Sequence, residues 1–562
     1  MVFRRINYSA AFFLAALMIA SAAAPSRAQQ SQLGKVDFPT SGSEKAQQHF
    51  LRGVAALHSF WYEEALDAFR EATKVDPGFM MGYWGEAMAH NHPLWSEQDT
   101  EAARKVVAKI KDSPKLSGKE VAFLNAVRAL YGEGDKRARD LAYSAIMEKI
   151  YNENPDDLEA ASFYALSLLG LWRPEDKGYR LQARAGAIAL DVYKKNPDHP
   201  GAAHYIIHAF DDPEHAIIAL PAARRYAEIA PDAHHARHMP SHIFLQLGMW
   251  PEAAASNETA WAVSDAWVRR KNLSISLRDY HSLHWLLYVY LQQGRYGKAE
   301  ELLSLMQKTM RESKYDNKLR PNYYANNYAN MASTFIVETG RWDLAAKLFD
   351  PIEGQTAESA GAHAAHGGPQ PVESAGTMRR SNVGQVLPTF VRGLAAAARG
   401  SEEAEKSLAK LQEMRKQSTA PDAYRAKPGE IRELEIAALA AASKKNYDEA
   451  ISIMKKATAL EEEMAPPSGP PSLIKPSHEL FGEILLAAGR PKEAAAQFAT
   501  ALLRQPNRAR SLIGAARAAS ASGDTRGAAS AYSRFLKQWQ QADSGLPELR
   551  EAQDYLKQAS AR

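Results

Sequence analysis

An all-α protein built of stacked helix pairs is what this sequence predicts, and three observations carry that prediction. Apolar residues, 46% of the 562-residue chain, recur at helical rather than strand spacing. Small and aromatic residues return at fixed offsets with a period near 34 residues, the interval at which one helix pair gives way to the next. Proline and glycine gather where the periodic stretches end, and nothing reads as alternating strands.

The elements follow in order. Residues 1–28 place Arg4 and Arg5 ahead of the apolar run AAFFLAALMIASAAA and close on Ser26-Arg27-Ala28. A positive end, a short apolar core and small residues at the cleavage positions describe an export signal cut near Ala28. The run is shorter than the roughly 20 residues a membrane span needs. The expected location is the periplasm or the cell exterior, with no membrane span left after cleavage.

Residues 29–350 form a first array. Counted from Ala46, the residues Gly53, Ala65, Phe69, Ala72 and Pro77 take positions 8, 20, 24, 27 and 32. The pattern resembles the tetratricopeptide repeat, in which small residues let two helices approach and proline stops the second. That resemblance implies a helix-pair solenoid wound as a right-handed superhelix, with a concave groove lined by the first helix of each pair. Looser units follow, their turns marked by Gly248-Met249-Trp250, Gly294-Arg295-Tyr296 and Gly340-Arg341-Trp342. Residues 351–382, containing SAGAHAAHGGPQPVESAG, are a low-complexity loop unable to bury a core. A second array spans 383–562; counted from Lys475, Gly482, Gly489, Ala494, Phe498, Ala501 and Pro506 take positions 8, 15, 20, 24, 27 and 32.

Composition excludes several function classes. The formal charge is +4, and losing residues 1–28, with three arginines and no acid, leaves +1. A near-neutral chain has no concentrated basic face for nucleic acid. There is no cysteine, hence no disulfide, thiol nucleophile or thiolate zinc site. No Gly-x-Ser-x-Gly elbow or phosphate-binding glycine loop is present, so an enzyme is the less expected reading.

The histidines set this chain apart from a generic repeat. In HYIIH, His204 and His208 are spaced i, i+4 and share one helical face. In HMPSH, His238 and His242 repeat that spacing 34 residues later, and both pairs take positions 5 and 9 of a first helix. His281 and His284 come from the next unit, and Asn327, Asn330 and Thr334 from the one after. Packed helices lie about 8–10 Å apart, so rings from three neighbours can converge on an ion. Neutral imidazole suits zinc, copper, nickel or iron. His234 and His235, at a helix start, are expected to cap it or face solvent. His58 and His92 could extend the patch, and Asp279 reads as a helix cap.

The phrases YWGEAMAH, HPGAAHYIIHAF, APDAHHARHMPSHIF, HSLHWL and PSHELFGEILLAAGRP together look like a family of large bacterial exported tetratricopeptide proteins. The resemblance implies the solenoid and export, and no particular reaction. Two functions are therefore expected. The first is a scaffold whose concave groove holds a peptide or protein segment, with Trp285, Tyr288, Asn327, Asn330 and Thr334 on its wall. The alternative is a transition-metal protein using His204, His208, His238, His242, His281 and His284.

Overall fold

A computed structural model describes residues 32–173, 176, 178–312, 323–352, 383–417 and 423–561. The export-signal reading of 1–28 and all but two residues of the loop 351–382 lie outside them. Among the described residues the only strands are Asn91–His92 and Glu97–Gln98, which pair antiparallel beside the helix Met80–Met88. Everything else is helix and connection, arranged as antiparallel pairs that stack in chain order: an all-α, tetratricopeptide-type repeat fold. No helix among them is long and apolar enough to cross a membrane.

One packing device holds the pairs together at both ends of the chain. Phe69 wedges between Gly53 of its own pair and Gly85 of the next; a Cβ at those glycines would stand 2.6 and 2.2 Å from its ring. Phe498 does the same between Gly482 and Gly514, at 2.7 and 2.3 Å. The repeated small residues are thus sockets for one phenylalanine per pair, which close packing cannot enlarge. Turn glycines Gly248, Gly294 and Gly340 sit at φ of 64°, 69° and 67°, where a side chain would be strained.

Three apolar cores form among the described residues, and one of them crosses the division into two arrays. One core draws on Leu33 through Val268. A second gathers residues from Phe244 to Ala552, so the helices Tyr280–Gln292 and Tyr323–Thr339 share it with Ala509–Ala521 and Thr525–Gln538, and a third lies between Ala438 and Ala518. Polar contacts repeat this closure. The Trp250 indole N–H donates to the Asn507 carbonyl at 2.9 Å, and the Trp539 indole to that of Gln292 at 3.0 Å. At the centre the fully buried Arg508 lies 2.8 Å from Glu479, 2.7 Å from Glu338 and 3.2 Å from the Tyr288 hydroxyl.

Candidate metal centre

The site is assembled from three consecutive first helices. Pro200–Ala209 carries His204 and His208; His234–His238 and Pro240–Gln246, continuous through a helical Met239, carry His235, His238 and His242; Tyr280–Gln292 carries His281 and His284. They bring six imidazoles together in two groups of three: His204 with His208 and His235, and His238 with His242 and His281. Within each group one nitrogen per ring lies within 4.8 Å of the others.

Hydrogen bonding decides which nitrogen faces inward. His204 Nδ1–H donates to the His58 carbonyl at 2.7 Å, leaving Nε2 as a lone pair. That Nε2 stands 3.0 Å from His208 Nε2 and 3.2 Å from His235 Nε2. In the second group His238 Nδ1–H donates to Asn257 Oδ1 at 2.7 Å; the Asn257 amide is itself oriented by donating to the Ala253 carbonyl. His242 Nδ1 lies 2.6 Å from Asp211 Oδ2, and its Nε2 faces His238 Nε2 at 3.2 Å. Gln246 in turn donates to Asp211 Oδ1 at 3.1 Å.

Two lone pairs facing each other at 3.2 Å would repel, so that spacing calls for a metal ion or a proton between the two nitrogens. Zinc–nitrogen bonds of about 2.0–2.1 Å in a tetrahedral set place the ligand nitrogens roughly 3.3 Å apart, close to what is found here. The backbone carbonyl, amide and carboxylate behind the rings are the partners that hold metal-bound histidines in one tautomer. A proton can also fill the gap. Burial pushes Asp211 up to about 8, and a protonated Asp211 would donate to His242 Nδ1 and let His242 Nε2–H donate to His238. A metal bound there would release that proton.

Burial keeps the rings neutral, the form that coordinates. It pushes His238 and His242 down to about 3, and His204, His208, His235 and His281 well below the usual histidine value, with neighbouring imidazoles adding to the effect for most of them. His208 and His281 are the half-buried members. Trp285 packs over the second group, its ring centroid 4.1 Å from that of His242.

Other expectations fall differently. His235 neither caps nor faces solvent; it is buried in the first group. Its spacing to His238 and His242, i, i+3 and i+7, already placed it on their face. His284 stands outside both groups, its Nε2 buried with no hydrogen-bond partner. His234 pairs with Asp279 at 3.1 Å; burial opposes its charge, but that carboxylate leaves its pKa raised. Asp279 also caps its helix through the Ser282 N–H. His92 stacks on Tyr62, ring centroids 3.9 Å apart. Tyr288 and Thr334 are buried, Tyr288 against Arg508, and Trp285 is covered by Gly469, whose Cβ would lie 2.4 Å from it. Those three present no free face to a peptide, whereas Asn327 and Asn330 are half-buried. Asp211 and Asn257 had no sequence signature at all.

His58, Glu159 and His199 form a third group, fully buried behind the first. Here every polar atom is matched. His199 Nδ1 accepts from the Ala202 N–H, so its Nε2–H donates to Glu159 Oε1 at 3.2 Å. His58 Nε2–H donates to Oε2 at 2.7 Å while its Nδ1 accepts from the Tyr205 hydroxyl, and the Asp37 N–H adds a third donor to Glu159. Burial alone would raise the Glu159 pKa, but these histidines hold it well below the usual carboxylate range. A network so satisfied is structural, and it positions the His58 carbonyl that orients His204. Glu159→Gln should destabilise the protein by about 2–3 kcal/mol, the worth of hydrogen bonds to a buried charge. A depressed carboxylate stabilises above its unfolded pKa of about 4.3 and loses that contribution as pH falls through the lower folded value. Urea unfolding across pH 2–6 should therefore show a steeper acid decline in the wild type than in the variant; parallel declines would refute this role.

The fold and site define a class: an all-α helix-pair repeat protein with a buried histidine cluster contributed by three consecutive first helices. No family model matches the chain, and no curated protein does. Among solved structures it is similar to the TPR domain of P58(IPK), at 15% identity over 72% of this chain and 100% of that one, with a TM-score of 0.20. It is also similar to yeast Tom70, at 12% identity over 92% of this chain and 89% of that one, with a TM-score of 0.28. At these scores the fold rests on the chain's own helices.

Proposed function

We propose that this is an exported transition-metal protein, with the helical repeat as the frame that holds a polyhistidine centre. The observation that supports it most is the pair of opposed Nε2 atoms on His238 and His242, each with its Nδ1 held by a partner behind it. Sites of this kind follow from ligand identity and supporting hydrogen bonds rather than from the fold. Zinc, copper, nickel and iron all accept the donor set.

A scaffold role for the repeat is compatible with this. Trp285 and Tyr288 pack against Gly469 and Arg508 of the chain's own C-terminal half, which favours another face for a peptide partner.

The test is elemental analysis of the protein, purified from the exported fraction without affinity tag or chelator. Near-stoichiometric transition metal, or tight uptake of zinc or copper by the stripped protein, is the expected result. A metal-free protein that takes up neither on titration would end this reading and leave the scaffold.

A further inference from the structure

We infer that the centre is dinuclear: His204, His208 and His235 hold one transition-metal ion, and His238, His242 and His281 hold a second beside it. This rests on the metal-binding reading above and deepens it.

Six imidazoles exceed what one ion takes from a protein, since zinc sites use three or four ligands. The rings also divide themselves. Within the first group Nε2 atoms approach to 3.0 and 3.2 Å, and within the second to 3.2 Å. Ring centroids are 4.7–5.0 Å apart within the groups, but between them His208 and His242 stand 5.7 Å apart and His235 and His238 5.8 Å. That is ordinary aromatic contact. The two sites are separate but touch, with no layer of protein between them. The arrangement has its origin in the repeat: an i, i+4 histidine pair recurs after 34 residues on the adjacent helix, so the two half-sites are copies set side by side.

Each group supplies three nitrogens, and each has one half-buried member, His208 in the first and His281 in the second. Each group therefore has one ring that solvent reaches. Two divalent ions among neutral rings carry more positive charge than the nearby Asp211 and Asp279 balance. Two-metal sites about 3.5–4 Å across bind oxygen ligands between the ions. The ligand class that would fit between two such ions is a small oxygen anion, hydroxide from water being the simplest.

The experiment uses the full chain, stripped with chelator and titrated with Cu2+, reading bound copper by elemental analysis and unpaired spins by EPR. The expected result is two copper ions per chain, with an EPR intensity well short of the copper present because neighbouring ions couple. His208→Gln and His281→Gln, chosen because their rings are half-buried and least needed for folding, should each hold one ion with its full, uncoupled signal; circular dichroism confirms the fold. One ion per chain in the wild type overturns the dinuclear centre and leaves the metal-binding reading standing. Two ions with full independent signals overturn the contact between the sites. No bound copper, with zinc and Co2+ equally excluded, removes the reading on which it rests.

Discussion

The His238→Gln, His242→Gln variant should lose the ion of its group, with affinity there falling by more than the 10–100-fold that outer-shell changes produce, hence more than about 100-fold. Gln keeps the volume and hydrogen-bonding capacity near that of imidazole, so the helix Pro240–Gln246 has no cavity to collapse into. The amide cannot replace the aromatic lone pair that points inward. Asp211→Asn provides the graded comparison. Asn can still accept from His242 Nδ1 through its carbonyl oxygen, but without the charge that raises ligand basicity, so a loss of about 10-fold is expected. The two variants differ in which atom they remove, the coordinating one or the one behind it. Competition against a chromophoric chelator measures both; equal affinities for wild type and double variant would show that the metal binds elsewhere.

Arg508→Met should destabilise the second core by about 3–5 kcal/mol, the usual consequence of removing one partner from a buried ion pair. Arg508 is fully buried and lies between Glu479 and Glu338, which are equally buried. Met fills most of the volume but leaves Glu338 without its closest cation and facing Glu479, which keeps only Lys475 at 3.0 Å and the Ser511 hydroxyl at 2.7 Å as close partners. The arginine holds Glu479 well below the usual carboxylate range, whereas burial leaves Glu338 raised. Replacing all three by apolar residues should recover much of the loss, because the ion pairs largely offset their own desolvation. Urea unfolding followed by tryptophan fluorescence distinguishes these outcomes. A single variant within about 0.5 kcal/mol of wild type would mean water reaches the cluster.

Much of the fold was legible because helix-pair repeats are local. Gly53, Phe69 and Pro77 specify one pair without reference to anything distant, and the same offsets around Gly482 and Phe498 do so again. The repeat interval also brought His204, His208, His238 and His242 onto one inner face. What the residues could not reveal was whatever periodicity does not encode. Asp211 and Asn257 act by reaching across to another helix, and no spacing marks them. Tyr288 stands where an open groove would expose it, yet Arg508 covers it. Whether a solenoid's inner face is empty or filled depends on small rotations accumulated over many repeats, and the 46-residue intervals between Gly248, Gly294 and Gly340 loosen that register. His235 was legible and was read as a cap because it begins its helix.

The packing of Arg508 on Tyr288 joins residues 220 positions apart, and this changes how the chain must fold. A plain solenoid can nucleate anywhere and zip from neighbour to neighbour. Here the second core stays incomplete until the C-terminal helices arrive, a long loop closure that slows folding. The histidine centre needs only residues 204–281 for its ligands, with His58 behind them. Those residues leave the ribosome before the C-terminal half does, so the histidine cluster can assemble while the segment that packs on Trp285 and Gln246 is still unmade. A metal bound by these rings would then have a wider approach at that stage than in the finished protein, where Gly469 covers Trp285.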